Sequence, residues 1–130
     1  MSEEGKSPLP ASQPAQPSPA QPPLASIEDF QRLTFRVGVV TAAQDHPNAD
    51  RLLVLTVDIG EAEPRQLVAG IKGSYQAADL IGKHVVVVAN LKPATLRGVE
   101  SRGMALAASD GSSIVLVSPE RPIRAGSTVK

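Results

Sequence analysis

Cysteine is absent from the 130 residues of the chain. Disulfide bonds, thiolate metal sites and cysteine nucleophiles are therefore excluded. Tryptophan is absent too, and the aromatic side chains are limited to Phe30, Phe35 and Tyr75. A protein that holds single-stranded nucleic acid by stacking its bases needs aromatic platforms. The composition therefore disfavours that class of binding.

Long apolar runs are also missing, since no stretch reaches the roughly 18 residues of a membrane-spanning helix. The first residues show no apolar segment after a basic start, so we expect no secretory signal peptide and a cytoplasmic protein. The chain carries 13 basic and 13 acidic side chains. Net charge alone therefore says nothing about its partners.

The chain contains no catalytic motif: it has no phosphate-binding loop, no nucleophile elbow and no HExxH. His46 and Asp50 suggest a proton relay or a metal pair, but His84 is far away in sequence and no further ligand cluster exists. A turn stabilised by Asn48 and Asp50 is the favoured interpretation of this stretch. We expect a binding protein with no enzymatic activity, no cofactor and no metal.

Residues 1–25 contain seven of the twelve prolines, separated mostly by Ala, Gln and Ser. Such a segment buries too little apolar surface to offset the entropy of ordering it. We expect a disordered, partly polyproline-II arm or linker, with a proline-rich ligand for a recognition domain as the alternative. A folded domain is expected from residue 26 to residue 130.

Within the domain, Ser26 is the expected cap of a short helix that ends near Arg32. Apolar residues then alternate with a period of two, which indicates half-buried strands. Ser74 is the expected cap of a second short helix, and the residues after 117 read as turns. The first predicted strand runs from Leu33 to the turn that begins at Asp45. The others cover residues 52–59, 65–69, 85–89, 104–108 and 113–117, with an Asp110-Gly111 turn before the last.

Strands in this order, with one helix after the third, are typical of an all-β fold of the OB type, which is a five-stranded Greek-key barrel. On the first strand Leu33, Phe35, Val37 and Val39 are expected to share the core face. On the second strand that face is expected to carry Leu53, Leu55, Val57 and Ile59.

Charge is distributed unevenly along the chain. Residues 26–64 carry three basic and seven acidic side chains, whereas residues 65–102 carry six basic and two acidic ones. A basic surface attracts phosphates, although scattered charge taken alone is more typical of a solvated face.

The stretch from Ala89 to Leu106 concentrates cations and glycines between two apolar runs. By residue type alone it is equally a phosphate-binding edge or an ordinary hairpin loop. Asn90, at the end of the preceding strand, is placed either to read a base edge or to fix a loop. Tyr75 is expected to be a packing residue rather than a base-stacking platform.

Several motifs in the right order carry a resemblance to a known family. They are Ser26–Phe30, Arg36–Gly38, His46-Pro47 with Ala49-Asp50 and Leu52, Val68–Ile71, Val87–Pro93 and, most specific, Leu96–Met104. Residues 26–130 thereby resemble the tRNA-binding OB domain family. Its members include the C-terminal appendix of bacterial methionyl-tRNA synthetases, free-standing bacterial tRNA-binding proteins and the C-terminal domains of eukaryotic synthetase cofactors. The appendix of the methionyl enzymes is the most similar variant.

The resemblance implies a homodimer that binds tRNA by its L-shape near the elbow, with little sequence preference. It implies phosphate contacts from Lys92, Arg97 and Arg102, polar contacts from Asn90 and Ser101, and backbone access at two glycines. The full expected tRNA-binding set is Arg36, Lys72, Asn90, Lys92, Arg97, Ser101, Arg102 and Met104.

The same resemblance implies an accessory module that assists methionyl-tRNA synthetase or acts free-standing, without catalysis. The alternative within the fold is an export-related, chaperone-like protein that binds peptides. That branch is shorter, and the synthetase-like motifs together with residues 105–130 argue against it.

Overall fold

The computed structural model describes residues 23–130, so the predicted arm lies, up to residue 22, outside the described residues. The chain divides into two units between Phe30 and Gln31, and every strand described in residues 23–130 belongs to the second. The elements are α1 (Ile27–Gln31), β1 (Phe35–Asp45), β2 (Leu53–Asp58), β3 (Arg65–Ala69), a 3₁₀ helix (Ala77–Leu80), β4 (His84–Val88), β5 (Ala94–Leu96), β6 (Val99–Ser101), β7 (Met104–Ala105), β8 (Ala107–Ser109), β9 (Ile114–Leu116) and β10 (Thr128–Val129).

Helix α1 starts at the predicted cap. The Ser26 hydroxyl accepts the N–H of Asp29 at 3.2 Å, and the Asp29 carboxylate accepts the N–H of Ser26 at 3.0 Å. These reciprocal bonds satisfy two donors that a helix start leaves without partners. The cap prediction is confirmed. Among the residues described here, none of the helices has the length and apolar character needed to cross a membrane.

The main sheet is antiparallel and runs in the order β3-β2-β1-β4-β7, with β10 also paired to β1. The core face predicted for β2 is confirmed, since Leu53, Leu55 and Val57 are fully buried and Ile59 is 2% exposed. Val54, on the other face, is buried as well. Ten buried side chains fill the interior: Val40, Leu53, Leu55, Val57, Ile59, Leu67, Ile71, Leu80, Val85 and Val87.

The core face predicted for β1 is wrong, because Leu33 is exposed and Val39 only half-buried. The opposite face of the strand meets the core: Val40 belongs to the buried interior, and a Cβ on Gly38 would strike the side chain of Val57. The first half of β1 pairs with β4 and the second half with β2, and the register shifts between Val40 and Ala42. The core-facing position between Val37 and Val39 is a glycine because the core leaves no room there for a side chain, so the alternation of apolar residues marked the other face.

One segment, β6 followed by β7, nearly closes the sheet into a barrel. Beside β3, the Arg102 N–H donates to the Gln66 carbonyl at 2.8 Å, and the Gln66 amide donates to the Glu100 carbonyl at 2.8 Å. Beyond that point β7 pairs with β4 through Val88 and Met104. Five antiparallel strands in this arrangement form an OB-like barrel, which confirms the predicted fold.

The inserted helix differs from its prediction. It is a 3₁₀ helix without a side-chain cap, and the Ser74 hydroxyl instead accepts the Ile114 N–H at 3.3 Å. The Tyr75 hydroxyl similarly accepts the Leu116 N–H at 3.0 Å, and its ring packs against the core. Tyr75 is therefore a packing residue, as predicted, and both side chains anchor β9.

The end of the chain contains structure that the sequence did not reveal. Thr128 and Val129 form β10, paired with Arg36 and Phe35 of β1. A two-residue strand has too few positions to show a period of two, so the sequence predicted only turns in this segment. The turn predicted at Asp110 is present: that carboxylate accepts the N–H groups of Ser112 and Ser113, which lowers the pKa of Asp110 to about 2.

Gly103 lies where the closing segment passes from β3 to β4. Its φ is 142°, and a Cβ there would lie 3.1 Å from the Leu67 side chain and 3.1 Å from the Val88 carbonyl oxygen. Both the backbone conformation and the close approach therefore require glycine.

We expect Gly103→Ala to lower the free energy of unfolding by about 1–3 kcal/mol, because the methyl group meets backbone and core atoms in a strained conformation. Gly73→Ala is the matched control, since no atom lies within 4 Å of its Cβ position. The control should change stability by no more than about 1 kcal/mol. Urea unfolding measures both variants, and equal stabilities would contradict the role given to Gly103.

Candidate nucleic-acid interface

The hairpin of β5 and β6 turns through Arg97 and Gly98, with φ of 53° and 91°. Two consecutive positive φ values in a two-residue loop are the signature of a type I′ turn, in which Asn or Asp is the usual first residue. Arg97 is the one non-glycine residue with positive φ in the part of the chain that the structure describes. An unfavourable backbone of this kind, held at an exposed cation, suggests a functional position.

Three exposed cations are distributed along this hairpin. Ala94 pairs with Ser101, so Lys92 and Arg102 flank the base of the hairpin and Arg97 occupies its tip. Strand residues advance about 3.3 Å each, so base and tip are about 15 Å apart. Within residues 23–130, these three side chains make no hydrogen bond or ion pair, and all three are exposed.

The tip of the hairpin rests on the turn after β1. His46 is only 5% exposed, and its Nε2 lies 2.9 Å from the Leu96 carbonyl oxygen. Its Nδ1 accepts the Asn48 N–H at 2.9 Å. The Asn48 side-chain amide donates to the Arg97 carbonyl at 3.4 Å. The sequence indicated a turn here, but the link to residues about 50 positions away leaves no local pattern.

Arg65 holds the base of the hairpin from the other side. It donates to the Ala89 carbonyl at 2.6 Å and to the Arg102 carbonyl at 3.0 Å, and it forms two bonds with the Glu61 carboxylate. In the sequence, Arg65 is visible only as one more cation. All these partners lie on other segments or the neighbouring loop, so only the fold reveals the role.

The Glu61 carboxylate is surrounded by cations. The hydrogen bonds from Arg65 hold the pKa of Glu61 below its usual value, slight burial opposes this, and the charges of Arg102 and Arg36 lower the pKa further. The carboxylate in turn raises the pKa of Arg65. One acid among three arginines leaves a net positive charge at the base of the hairpin.

Arg36 and Asn90 line a groove of about 320 Å³ on this side. The Asn90 side chain accepts the Thr34 N–H at 2.7 Å and donates to the Arg32 carbonyl at 2.8 Å. The Asn90 side chain therefore fixes the loop, which is one of the two roles that the sequence left open; the other was to read a base edge. Arg36 donates to the Gly126 carbonyl at 3.3 Å, which ties β1 to the C-terminal segment.

The remaining three expected residues lie in different settings. Ser101 is 4% exposed, and its hydroxyl accepts the Val68 N–H at 2.9 Å and donates to the Gly103 carbonyl at 2.9 Å. Lys72 forms an ion pair with Asp45 at 3.3 Å. Met104 is 47% exposed beside the base of the hairpin. The structure thus gathers Lys92, Arg97, Arg102 and Met104 at one exposed hairpin and uses Ser101 inside the barrel.

The groups that metal or acid–base chemistry would need are not clustered. Residues 23–130 hold no group of three or more His, Cys, Asp or Glu side chains that could bind a metal ion. Both ring nitrogens of His46 already have partners, the Leu96 carbonyl and the Asn48 N–H.

Residues 35–128 match the family described as "Putative tRNA binding domain". The methionine–tRNA ligase of Thermococcus onnurineus is 50% identical over 104 residues, and that of Thermococcus kodakarensis is 49% identical over 105 residues. These matches cover 80% and 81% of this chain, and the chain spans only 14% of the length of either ligase.

Two solved structures are similar over nearly their whole length. The MetRS related protein from Pyrococcus horikoshii is 31% identical with a TM-score of 0.76, covering 83% of this chain and 99% of that one. The chaperone CsaA from Bacillus anthracis is also 31% identical with a TM-score of 0.76, covering 83% and 100%.

We expect Ser101→Ala to lower the free energy of unfolding by about 1–3 kcal/mol, because the buried Val68 N–H would lose its acceptor. Ser109→Ala is the control, since that hydroxyl accepts only the exposed Gly111 N–H at 3.3 Å. The control should stay within about 0.5 kcal/mol of the wild type. Urea unfolding of both variants provides the comparison, and a Ser101→Ala protein as stable as the control would rule out the supporting role.

Proposed function

We propose that this chain binds folded tRNA through the β5–β6 hairpin. The premise is that the chain belongs to the family of tRNA-binding domains, whose model it matches over residues 35–128. The observation that carries the proposal is the exposed Arg97, held with positive φ at the tip of a hairpin flanked by Lys92 and Arg102. Cations spaced along a rigid edge suit a row of phosphates.

Recognition by shape follows from what the surface offers. Three exposed cations supply phosphate contacts, and the few aromatic residues offer no platform for stacking unpaired bases. A protein with such a surface reads the backbone and 2′-hydroxyls of a folded RNA rather than its base sequence. Lys72 belongs to the proposed binding set, Arg36 is expected at its edge, and Asn90 and Ser101 support it.

The whole-protein role is part of the same proposal. We infer a non-catalytic module that assists a methionine–tRNA ligase, in the same chain or in trans, or that acts free-standing in the cytoplasm. The 50% identity to a segment of one such ligase supports the first form, and the full-length likeness to a MetRS related protein supports the second. Such a module raises the local concentration of tRNA near its partner.

A homodimer belongs to the proposal as well, because two hairpins on one tRNA would double the cations that face it. Sedimentation of the chain at several concentrations tests this part separately. The likeness to the chaperone CsaA favours peptide binding as the second candidate function. In that case an unfolded peptide would bind regardless of the charge at Arg97.

Folded tRNA should bind more tightly than an unstructured RNA of equal length, because the hairpin matches phosphates held in a fixed shape. The logarithm of affinity should fall with the logarithm of salt with a slope of about −3 to −5, as expected for a few phosphate contacts. Competition titrations at several salt concentrations measure both quantities. Equal competition by the two RNAs would exclude recognition by shape.

Arg97→Asn separates binding from folding at the hairpin tip. Asn-Gly is the preferred sequence of a type I′ turn, so this variant should be at least as stable as the wild type. It should nevertheless bind tRNA about three- to tenfold more weakly, because one phosphate contact is lost.

The matched control is Arg121→Asn, which removes the same charge from a side chain that is 86% exposed and lies outside the hairpin. It should leave tRNA affinity within about twofold of the wild type. Gel shifts together with urea unfolding test both variants. Equal affinities for the two would remove Arg97 from the interface.

A further inference from the structure

His46 is one of two buried polar side chains among residues 23–130, and Ser101 is the other. Burying a polar ring is unfavourable unless its nitrogens find partners. Both do, and the two partners are on different segments: the Asn48 N–H within the same turn and the Leu96 carbonyl 50 residues away. His46 therefore joins the turn after β1 to the tip of the β5–β6 hairpin.

The partners fix the tautomer of the ring. A backbone N–H only donates, so Nδ1 of His46 must carry no proton where it meets Asn48. A carbonyl only accepts, so Nε2 must carry the proton where it meets Leu96. The neutral ring with its proton on Nε2 satisfies both bonds at 2.9 Å.

The two carbonyls held by this turn belong to the two peptide planes on either side of the Arg97 Cα. The Leu96 carbonyl lies in the plane that sets φ of Arg97, and His46 holds it. The Arg97 carbonyl lies in the plane that sets ψ, and the Asn48 amide donates to it at 3.4 Å. Between them, His46 and Asn48 restrain both dihedral angles of the residue with the unfavourable φ of 53°.

We propose that His46 and Asn48 are positioning residues for tRNA binding, which hold the backbone of Arg97 in its strained conformation so that its side chain leaves the hairpin tip in the direction of a phosphate. The inference rests on the function proposed above. A strained residue persists only where its surroundings over-determine it. Without these two bonds the tip would occupy several conformations, and binding would have to select one of them.

His46→Asn and Asn48→Ala test the two bonds separately. An asparagine at position 46 keeps an acceptor where Nδ1 stood, so the turn retains its local bond, but the side chain no longer reaches Leu96. Asn48→Ala removes only the exposed amide and leaves its backbone N–H on His46. Because it touches no buried group, it provides the test even if the histidine variant fails to fold.

Each variant should bind tRNA about two- to fivefold more weakly, with the salt slope reduced toward that of Arg97→Asn. In the Arg97→Asn background, neither substitution should weaken binding further, because the contact through which they act is gone. If His46 and Asn48 only stabilised the fold, their substitution would lower the fraction of folded protein. The salt dependence of tRNA affinity for the folded protein would then stay unchanged.

The outcomes distinguish this inference from the function it rests on. If Arg97→Asn weakens tRNA binding and the two positioning variants do not, or if their losses add to that of Arg97→Asn, the positioning role is overturned and the tRNA site stands. If Arg97→Asn itself binds as tightly as the wild type, the proposed site fails, and the positioning role fails with it.

Discussion

A single strand segment, Val99–Ala105, has to satisfy two neighbours that lie on opposite sides of the barrel seam. The first half, up to Arg102, forms hydrogen bonds with β3. The second half, Met104 and Ala105, pairs with β4. A continuous straight strand cannot serve both, so the chain bends at Gly103, where a side chain would strike Leu67 and the Val88 carbonyl. The buried Ser101 hydroxyl then completes the seam by accepting the N–H of Val68 on β3.

The proposed function depends on the same seam. The hairpin that carries the exposed cations is the extension of this closing segment, so its base is fixed by the barrel and by the Arg65 bonds to the Ala89 and Arg102 carbonyls. The tip is fixed by His46 and Asn48. The backbone of the hairpin is therefore held at both ends before it meets a folded RNA, which favours recognition of shape with few charges.

The sequence predicted the features that depend on local chemistry. Alternating Leu and Val residues revealed β2, Ser26 with Asp29 revealed the helix start, and Asp110 revealed the last hairpin. The cations of the hairpin were visible as well, although composition alone left a binding edge and a solvated loop equally open. The resemblance to a family, rather than any periodicity, favoured the first.

Features that depend on distant partners could not be predicted in this way. The core face of β1 was assigned wrongly because its core-facing position is Gly38, packed so closely against Val57 that no side chain fits, and β10 exists only because β1 offers it an edge. His46 and Arg65 looked like a turn residue and a surface cation, since their bonds reach 50 and up to 37 residues along the chain. In each case the burial and the partner come from the tertiary fold.

The surface that meets tRNA can be mapped directly by titrating isotope-labelled protein with tRNA and following its backbone amide signals. The account predicts the largest changes at residues 92–102, centred on Arg97 and Gly98, with the groove formed by Lys83, His84 and residues 118–122 unaffected. Changes concentrated in that groove, with the hairpin amides unmoved, would contradict the central claim that the hairpin is the tRNA-binding element.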